Sequence, residues 1–198
     1  ADNMSEKIIV LKEKDLFKNV SQSENFFFHS RKKIIKNILS FGKEYEKELA
    51  ENDLNYKQIV SYMIFSYKTK LFLMQRKKTT NILSLKYSLG IGGHLRRDDI
   101  KKNIGQWGDR ELQEEVKLQS GFRSKLVGFI NDNSNEIGKK HFGLVYLIDG
   151  KSSQISIISE MLSGKMIQKK ELSDFINNFE SWSLLLTKKF LKIRKKNK

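Results

Sequence analysis

Apolar residues recur along the chain in two different rhythms. Residues 8–11 form a short apolar run of strand length, and Phe26-Phe27-Phe28 is a compact aromatic run of core character. From Ser30 to about Leu49 the period becomes helical. Ile34, Ile35, Ile38, Leu39 and Phe41 supply one face, and lysine and glutamate fill the other. From Gln58 the pattern turns to Ile59, Val60, Tyr62, Ile64 and Phe65, then a polar stretch at 66–70, then Leu71-Phe72-Leu73-Met74, which predicts a β-hairpin. A glycine-rich stretch, Gly90-Ile91-Gly92-Gly93-His94, precedes a helical segment expected over about 105–118. Strands are expected at 125–130, 142–148 and 154–158, the first two joined by an asparagine- and glycine-rich loop. A turn at Met161-Leu162-Ser163-Gly164 and a helix near 171–179 follow. This irregular alternation predicts an α/β (α+β) fold, a mixed β-sheet covered by helices.

Composition refines the picture only in places. With no proline, boundaries rest on glycine, asparagine and periodicity. A chain of 198 residues suits one main folding unit. Residues 1–55 are expected as a strand and helix extension packed on a main domain at 56–198. Hydrophobic residues make up 38% and charged residues 31%, and no apolar run approaches the roughly 18–20 residues that span a bilayer, so a soluble protein without a membrane partner is expected. The absence of cysteine excludes disulfides, zinc–cysteine sites, iron–sulfur clusters and cysteine nucleophiles, and fits a reducing, cytoplasmic address. Asp2 and Glu6 occupy the place where a signal peptide would be basic and then apolar, and Met4 reads as the natural start.

The formal net charge of +15 creates a field that attracts polyanions without choosing among them. Much of it lies in scattered lysines and in the stretch from Lys188 to Lys198, where a frayed, solvated helix end is a better reading than contact with RNA or an acidic membrane. Biased lysine and asparagine usage explains the same excess without a partner.

The chemistry concentrates in Arg110-Glu111-Leu112-Gln113-Glu114-Glu115. On a helix, Glu111, Glu114 and Glu115 project from one face, and three carboxylates crowded together favour a shared divalent ion. Mg²⁺, or Mn²⁺, suits such a site, because it prefers oxygen ligands and keeps positions for water and phosphates. Leu112 and Val116 would anchor the opposite side of the helix, and Arg110 would pair with a carboxylate. Gly92 and Gly93 permit a sharp turn and close backbone approach, with a main-chain carbonyl as a further ligand. The competing interpretation is a surface helix of dense charge. His29, His94 and His141 are isolated in sequence, and isolated histidines of this kind do not make a metal site. Trp107 and Trp182 fit core packing better than stacking on a nucleobase.

At these residues the chain resembles the Nudix hydrolases, whose pattern runs glycine, five residues, glutamate, seven residues, then Arg-Glu-aliphatic-x-Glu-Glu-x-Gly-aliphatic. Gly93, Arg110, Glu111, Leu112, Glu114, Glu115 and Leu118 match it. Asp99 stands in place of the first glutamate, ten residues rather than seven separate it from Arg110, and Lys117 replaces a glycine. Further stretches, 57–62, 88–95, 127–132, 141–146 and 180–183, are similar to a branch described as predicted Nudix phosphoesterases, so the likeness covers most of the chain. The resemblance implies the Nudix fold, with a mixed sheet sandwiched between helices. It also implies a magnesium-dependent hydrolase that cleaves a diphosphate linkage, in a small-molecule substrate akin to a nucleoside diphosphate derivative. Glu111, Glu114, Glu115 and Gly93 would hold the metal. Glu114 or Glu160 would serve as base, and Arg110, Asp99, Gly92 and His94 would position the site. Isoprenoid diphosphate isomerisation on the same fold relies on a cysteine that this chain lacks. A non-catalytic module binding RNA or another polyanion remains the alternative, and a homo-oligomer is compatible with either.

Overall fold

The computed structural model describes residues 5–22, 24–80 and 83–189. In chain order the elements are β1 (Lys7–Leu11), α1 (Glu13–Leu16), β2 (Phe26–Phe27), α2 (Arg31–Phe41), β3 (Lys43–Glu46), α3 (Lys47–Ala50), β4 (Lys57–Tyr67), β5 (Lys70–Arg76), β6 (Tyr87–Ser88) and β7 (Gly90–His94). Then come α4 (Asp109–Glu115), β8 (Val116–Leu118), β9 (Phe122–Ile130), α5 (Glu136–Lys140), β10 (His141–Gly150), β11 (Ile155–Ile157), β12 (Leu162–Gln168) and α6 (Ser181–Lys189). The fold is α+β, a mixed sheet with several helices, as the sequence pattern predicts. The chain divides into two compact units, each drawn from separate stretches. One takes the described parts of Ala1–Tyr62, Gly92–Glu111 and Leu126–Tyr146, and the other takes those of Met63–Ile91, Leu112–Lys125 and Leu147–Lys198.

In the first unit the strands follow the order β4-β10-β9-β2, with β1 and β7 also paired to β4. β1 runs antiparallel to β3, from Lys7 opposite Glu46 to Val10 opposite Lys43, and its end meets Lys57 and Gln58 of β4. The expected long helix stops at Phe41. A side chain at Gly42 would meet the Ile38 carbonyl at 2.4 Å, and the following residues pair as β3 instead of winding on. Ile34 and Ile38 are fully buried on α2, whereas Leu39 and Phe41 are exposed. Asn37, also buried, donates to the carbonyls of Leu16 and Lys18 at 2.9 and 3.0 Å, fixing the end of α1 against the helix. The aromatic run divides. Phe27 packs among Phe17, Phe129 and Phe142, with centroids 5.9, 5.5 and 6.4 Å away, and Phe28 is exposed. Burying each such ring contributes roughly 2–3 kcal/mol.

In the second unit the predicted hairpin is present. Ser66 faces Leu71 and Tyr67 faces Lys70 across a turn at Lys68-Thr69, where Lys68 has φ 53°. The turn expected at 161–164 is instead the start of β12, which pairs antiparallel with β5 from Leu162 opposite Arg76 to Gln168 opposite Lys70. Gly164 is required there because a Cβ would lie 2.3 Å from the Phe72 ring. The helix expected near 171–179 is two stretches of 3-10 helix, Lys169–Asp174 and Ile176–Asn178, and the α-helix begins at Ser181. The Glu180 carboxylate accepts the backbone N–H groups of Trp182 and Ser183 at 2.8 and 2.9 Å, which caps α6 at a point the apolar pattern does not mark. No described helix is long and apolar enough to cross a membrane. The basic stretch 190–198 lies outside the described residues.

Candidate active site

β7 delivers Gly92, Gly93 and His94, and Leu95 then locks the chain by donating to the Ile59 carbonyl at 2.9 Å and accepting from Ile9 N–H at 2.8 Å. The residues between His94 and α4 are wound into 3-10 turns at Asp99–Lys101 and Ile104–Gln106. Asn103 caps the second turn by accepting from Gly105 N–H, and buried Trp107 donates its indole N–H to the Lys102 carbonyl at 3.0 Å, a core use of this ring. These turns accommodate the longer spacing ahead of Arg110. Asp99, only 1% exposed, still meets that residue.

Arg110 organises the residues gathered in the first unit. Its Nε and one terminal nitrogen donate to the Asp99 carboxylate at 2.9–3.3 Å, and the same terminal nitrogen reaches the His94 carbonyl at 2.9 Å. Its other terminal nitrogen lies 2.7 Å from Glu111. Burial alone would lower the guanidinium pKa, but hydrogen bonds to Asp99 and the charge of Glu111 hold it above its usual value. Asp99 also accepts Arg96 N–H at 2.8 Å.

The Glu111 carboxyl, itself buried, lies directly over Gly93, where a Cβ would stand 2.1 Å from one carboxylate oxygen. Only glycine leaves this space open. The Gly93 carbonyl accepts from the Ser61 hydroxyl at 3.4 Å, and Gly92 is exposed. A buried carboxylate resting on a glycine backbone, with one flank held by arginine, is an oxygen-rich donor set that fits a hard divalent cation.

α4 is shorter than the expected helix, because residues 116–118 form β8. Leu112 and Val116 are buried, Glu114 is exposed and Glu115 is half-buried, with its backbone carbonyl accepting Ile158 N–H at 3.0 Å. Glu160 sits exposed in the turn before β12. Gly93, His94, Asp99, Arg110 and Glu111 therefore meet within the first unit, while Glu114, Glu115 and Glu160 belong to the second.

The histidines are not isolated in space. The rings of His94 and His141 lie 5.8 Å apart, and one ligand atom from each, with a carboxylate oxygen of Glu51, fall within 4.8 Å of one another. Burial, reinforced by His141 and Lys47, pushes the His94 pKa down to about 4, and burial also lowers that of His141. Nothing in the sequence signals this group, since its members come from three distant segments. His29 stays apart, exposed and bonded to the Ser21 carbonyl at 2.8 Å.

No family model matches the chain. It is 29% identical over 199 residues to Protein YmaB of Bacillus subtilis (strain 168), across 91% of this chain and 95% of that protein. Its structure is similar to that of Tm1382, assigned as a Nudix hydrolase, with a TM-score of 0.77 and 25% identity over 94% of this chain and 98% of that one. The NUDIX domain of Shewanella oneidensis NrtR, crystallised with ADP ribose, shares the fold at a TM-score of 0.51 and 14% identity, covering 67% of this chain and 84% of that one.

Proposed function

Because the chain belongs to the Nudix superfamily, we propose that it is a metal-dependent phosphoesterase or pyrophosphohydrolase cleaving a diphosphate linkage, in a substrate akin to a nucleoside diphosphate derivative. The observation that carries this reading is the seating of the Glu111 carboxylate on Gly93, clamped by Arg110, which Asp99 holds in turn. The NrtR domain with ADP ribose supports the substrate class, since the same fold accommodates a molecule of that kind there.

In this mechanism Glu111, Glu114 and Glu115, with the Gly93 carbonyl, would hold the divalent cation, taken as Mg²⁺ with Mn²⁺ as substitute. When bound, the ion neutralises the diphosphate and lowers the pKa of attacking water. Arg110 keeps Glu111 in one rotamer and ties α4 to the His94 carbonyl, so that carboxylate and glycine backbone stay in register. Asp99 acts on Arg110 as a positioning residue rather than as a ligand. Glu114 or Glu160 takes the water proton, and Gly92, exposed beside Gly93, lets a phosphate approach the backbone.

A screen of nucleoside diphosphate derivatives and related diphosphates with Mg²⁺, run beside Glu111→Gln and Glu115→Gln, tests the reading. Turnover is expected in the wild type, with a loss of at least about 100-fold in each variant, beyond what changes around a metal's ligands typically cost. Equal turnover by wild type and variants would sink the metal-helix assignment. If nothing is cleaved while nucleic acid binds with a steep salt dependence, the net charge of +15 points instead to a polyanion-binding module.

A further inference from the structure

The side chains of Glu51, His94 and His141 lie outside the carboxylate helix, and the mechanism above uses only the backbone carbonyl of His94. Glu51 is the C-cap just past α3, His94 ends β7 and His141 begins β10, so each is held at the edge of an element. An ion bound at roughly 2.0–2.2 Å requires ligand atoms about 3.2–3.6 Å apart. Closing to that distance from within 4.8 Å takes side-chain movements of about an ångström or less, within the reach of small χ rotations.

The hydrogen bonds around the two rings also suit ligation. His141 Nδ1 lies 2.7 Å from the Ile137 carbonyl, which accepts only, so Nδ1 carries the proton and Nε2 keeps its lone pair. His94 Nε2 lies 2.6 Å from Gln58 Oε1, and with the amide oxygen facing the ring its other nitrogen keeps the lone pair. Gln58 is fully buried, with its amide oxygen on the His94 ring and its amide nitrogen without a hydrogen-bond partner. Imidazoles fixed through the second nitrogen by a carbonyl are the arrangement metal-binding histidines show. The surrounding positive charges, Lys47 and Arg110 near His94 and Lys57 and Lys140 near His141, oppose a cation, and the acidic groups Glu6 near His94 and Glu51 near His141, the latter the anionic donor, offset them.

We propose that Glu51, His94 and His141 bind a divalent transition metal ion of the Zn²⁺ and Co²⁺ class, at a site separate from the carboxylate helix. Two imidazoles and one carboxylate select a borderline ion over Mg²⁺ or Ca²⁺, which take oxygen ligands. Three protein ligands leave at least one coordination position to water or to a ligand oxygen.

The test is titration of the full chain with Co²⁺ and Zn²⁺, followed by visible absorption and calorimetry. It uses the wild type, Glu51→Gln/His141→Gln, Glu114→Gln/Glu115→Gln and Gln58→Leu, with circular dichroism to confirm folding. With excess Mg²⁺ present to fill the carboxylate helix, the wild type is expected to bind one Co²⁺ and to show a visible d–d band. The band should vanish in Glu51→Gln/His141→Gln and persist in Glu114→Gln/Glu115→Gln. Gln58→Leu, which removes only the orienting amide, should weaken binding about 10- to 100-fold. The proposal is overturned if the wild type gives no such band, if Mg²⁺ abolishes it, or if it survives in folded Glu51→Gln/His141→Gln. The Glu51→Gln single variant, altered only at a half-exposed helix end, decides the matter should the double variant fail to fold. None of these readouts requires turnover, so failure here leaves the hydrolase reading intact, and the reverse also holds.

Discussion

Arg110 shows how much of the candidate site hangs on one side chain. Asp99 is buried at 1% exposure and its carboxylate faces the guanidinium in a two-pronged contact, so removing the cation leaves an uncompensated charge inside the protein. Arg110→Met is therefore expected to cost about 3 kcal/mol in urea unfolding. Arg110→Lys should cost less, because a point charge replaces part of the attraction and none of the fork geometry. The double change Arg110→Met/Asp99→Leu should recover most of the loss, and a double variant as unstable as Arg110→Met alone would show that the pair is not the cause. At this scale the sequence is informative where chemistry is written in a contiguous string. Arg110, Glu111 and Gly93 announce themselves through spacing. Asp99 is marked by its spacing from Gly93, but its pairing with Arg110 is not, since the two 3-10 turns between them wind in a way that no periodicity reveals. Glu51 and His141 are less legible still, being brought to His94 only by the pairing of distant strands.

Elements were readable wherever one face had a consistent period. The hairpin of β4 and β5 and the strands β9 and β10 are present within a few residues of their predicted bounds. The failures have local causes. The 30–49 stretch keeps its helical rhythm past Phe41, but Gly42 packs on the Ile38 carbonyl and the next four residues find a partner in β1. In the sequence β12 is masked by Ser163-Gly164, which reads as a turn although the glycine is there to admit the Phe72 ring. Gly164→Val should accordingly destabilise by about 1–3 kcal/mol, as overpacking against an aromatic ring does, and an unchanged thermal midpoint would contradict the register of β12 on β5. The junction of β1 and α3 carries a second prediction. Glu6 is bonded to Lys47 at 2.8 Å and to Arg96 at 2.9 Å. The Lys47 bond, opposed by burial and aided by Arg96, lowers its pKa from 4.5 to about 2. The folded value lies below the unfolded one, so the contribution is complete above about pH 5 and is lost as pH falls toward 2. With a partly exposed carboxylate screened by solvent, it amounts to ~1 kcal/mol. Unfolding curves for wild type and Glu6→Gln should therefore differ at pH 6 and converge near pH 2. A gap that persists at pH 2 would exclude the ion pair as its source.

At the scale of the whole molecule the dominant fact is charge. A net +15 on 198 residues raises the local concentration of any anionic substrate and does so without regard to its identity. On the proposed function, a diphosphate substrate would be drawn to the protein by this field, while its reaction once bound would depend on short-range contacts around Gly93 and Glu111, which bulk salt screens far less. Electrostatic attraction should therefore enter kcat/KM and not kcat. Raising NaCl from about 0.02 to 0.3 M at constant Mg²⁺ shortens the Debye length from roughly 20 to 6 Å. On that basis kcat/KM for a diphosphate substrate is expected to fall severalfold while kcat stays constant. The same series with a neutral inhibitor of matching shape should show no salt effect on its inhibition constant. If kcat falls in parallel with kcat/KM, salt is acting on the metal or on the fold. If neither changes, the positive charge is spread too evenly to steer anything, and the excess of lysine reflects composition alone.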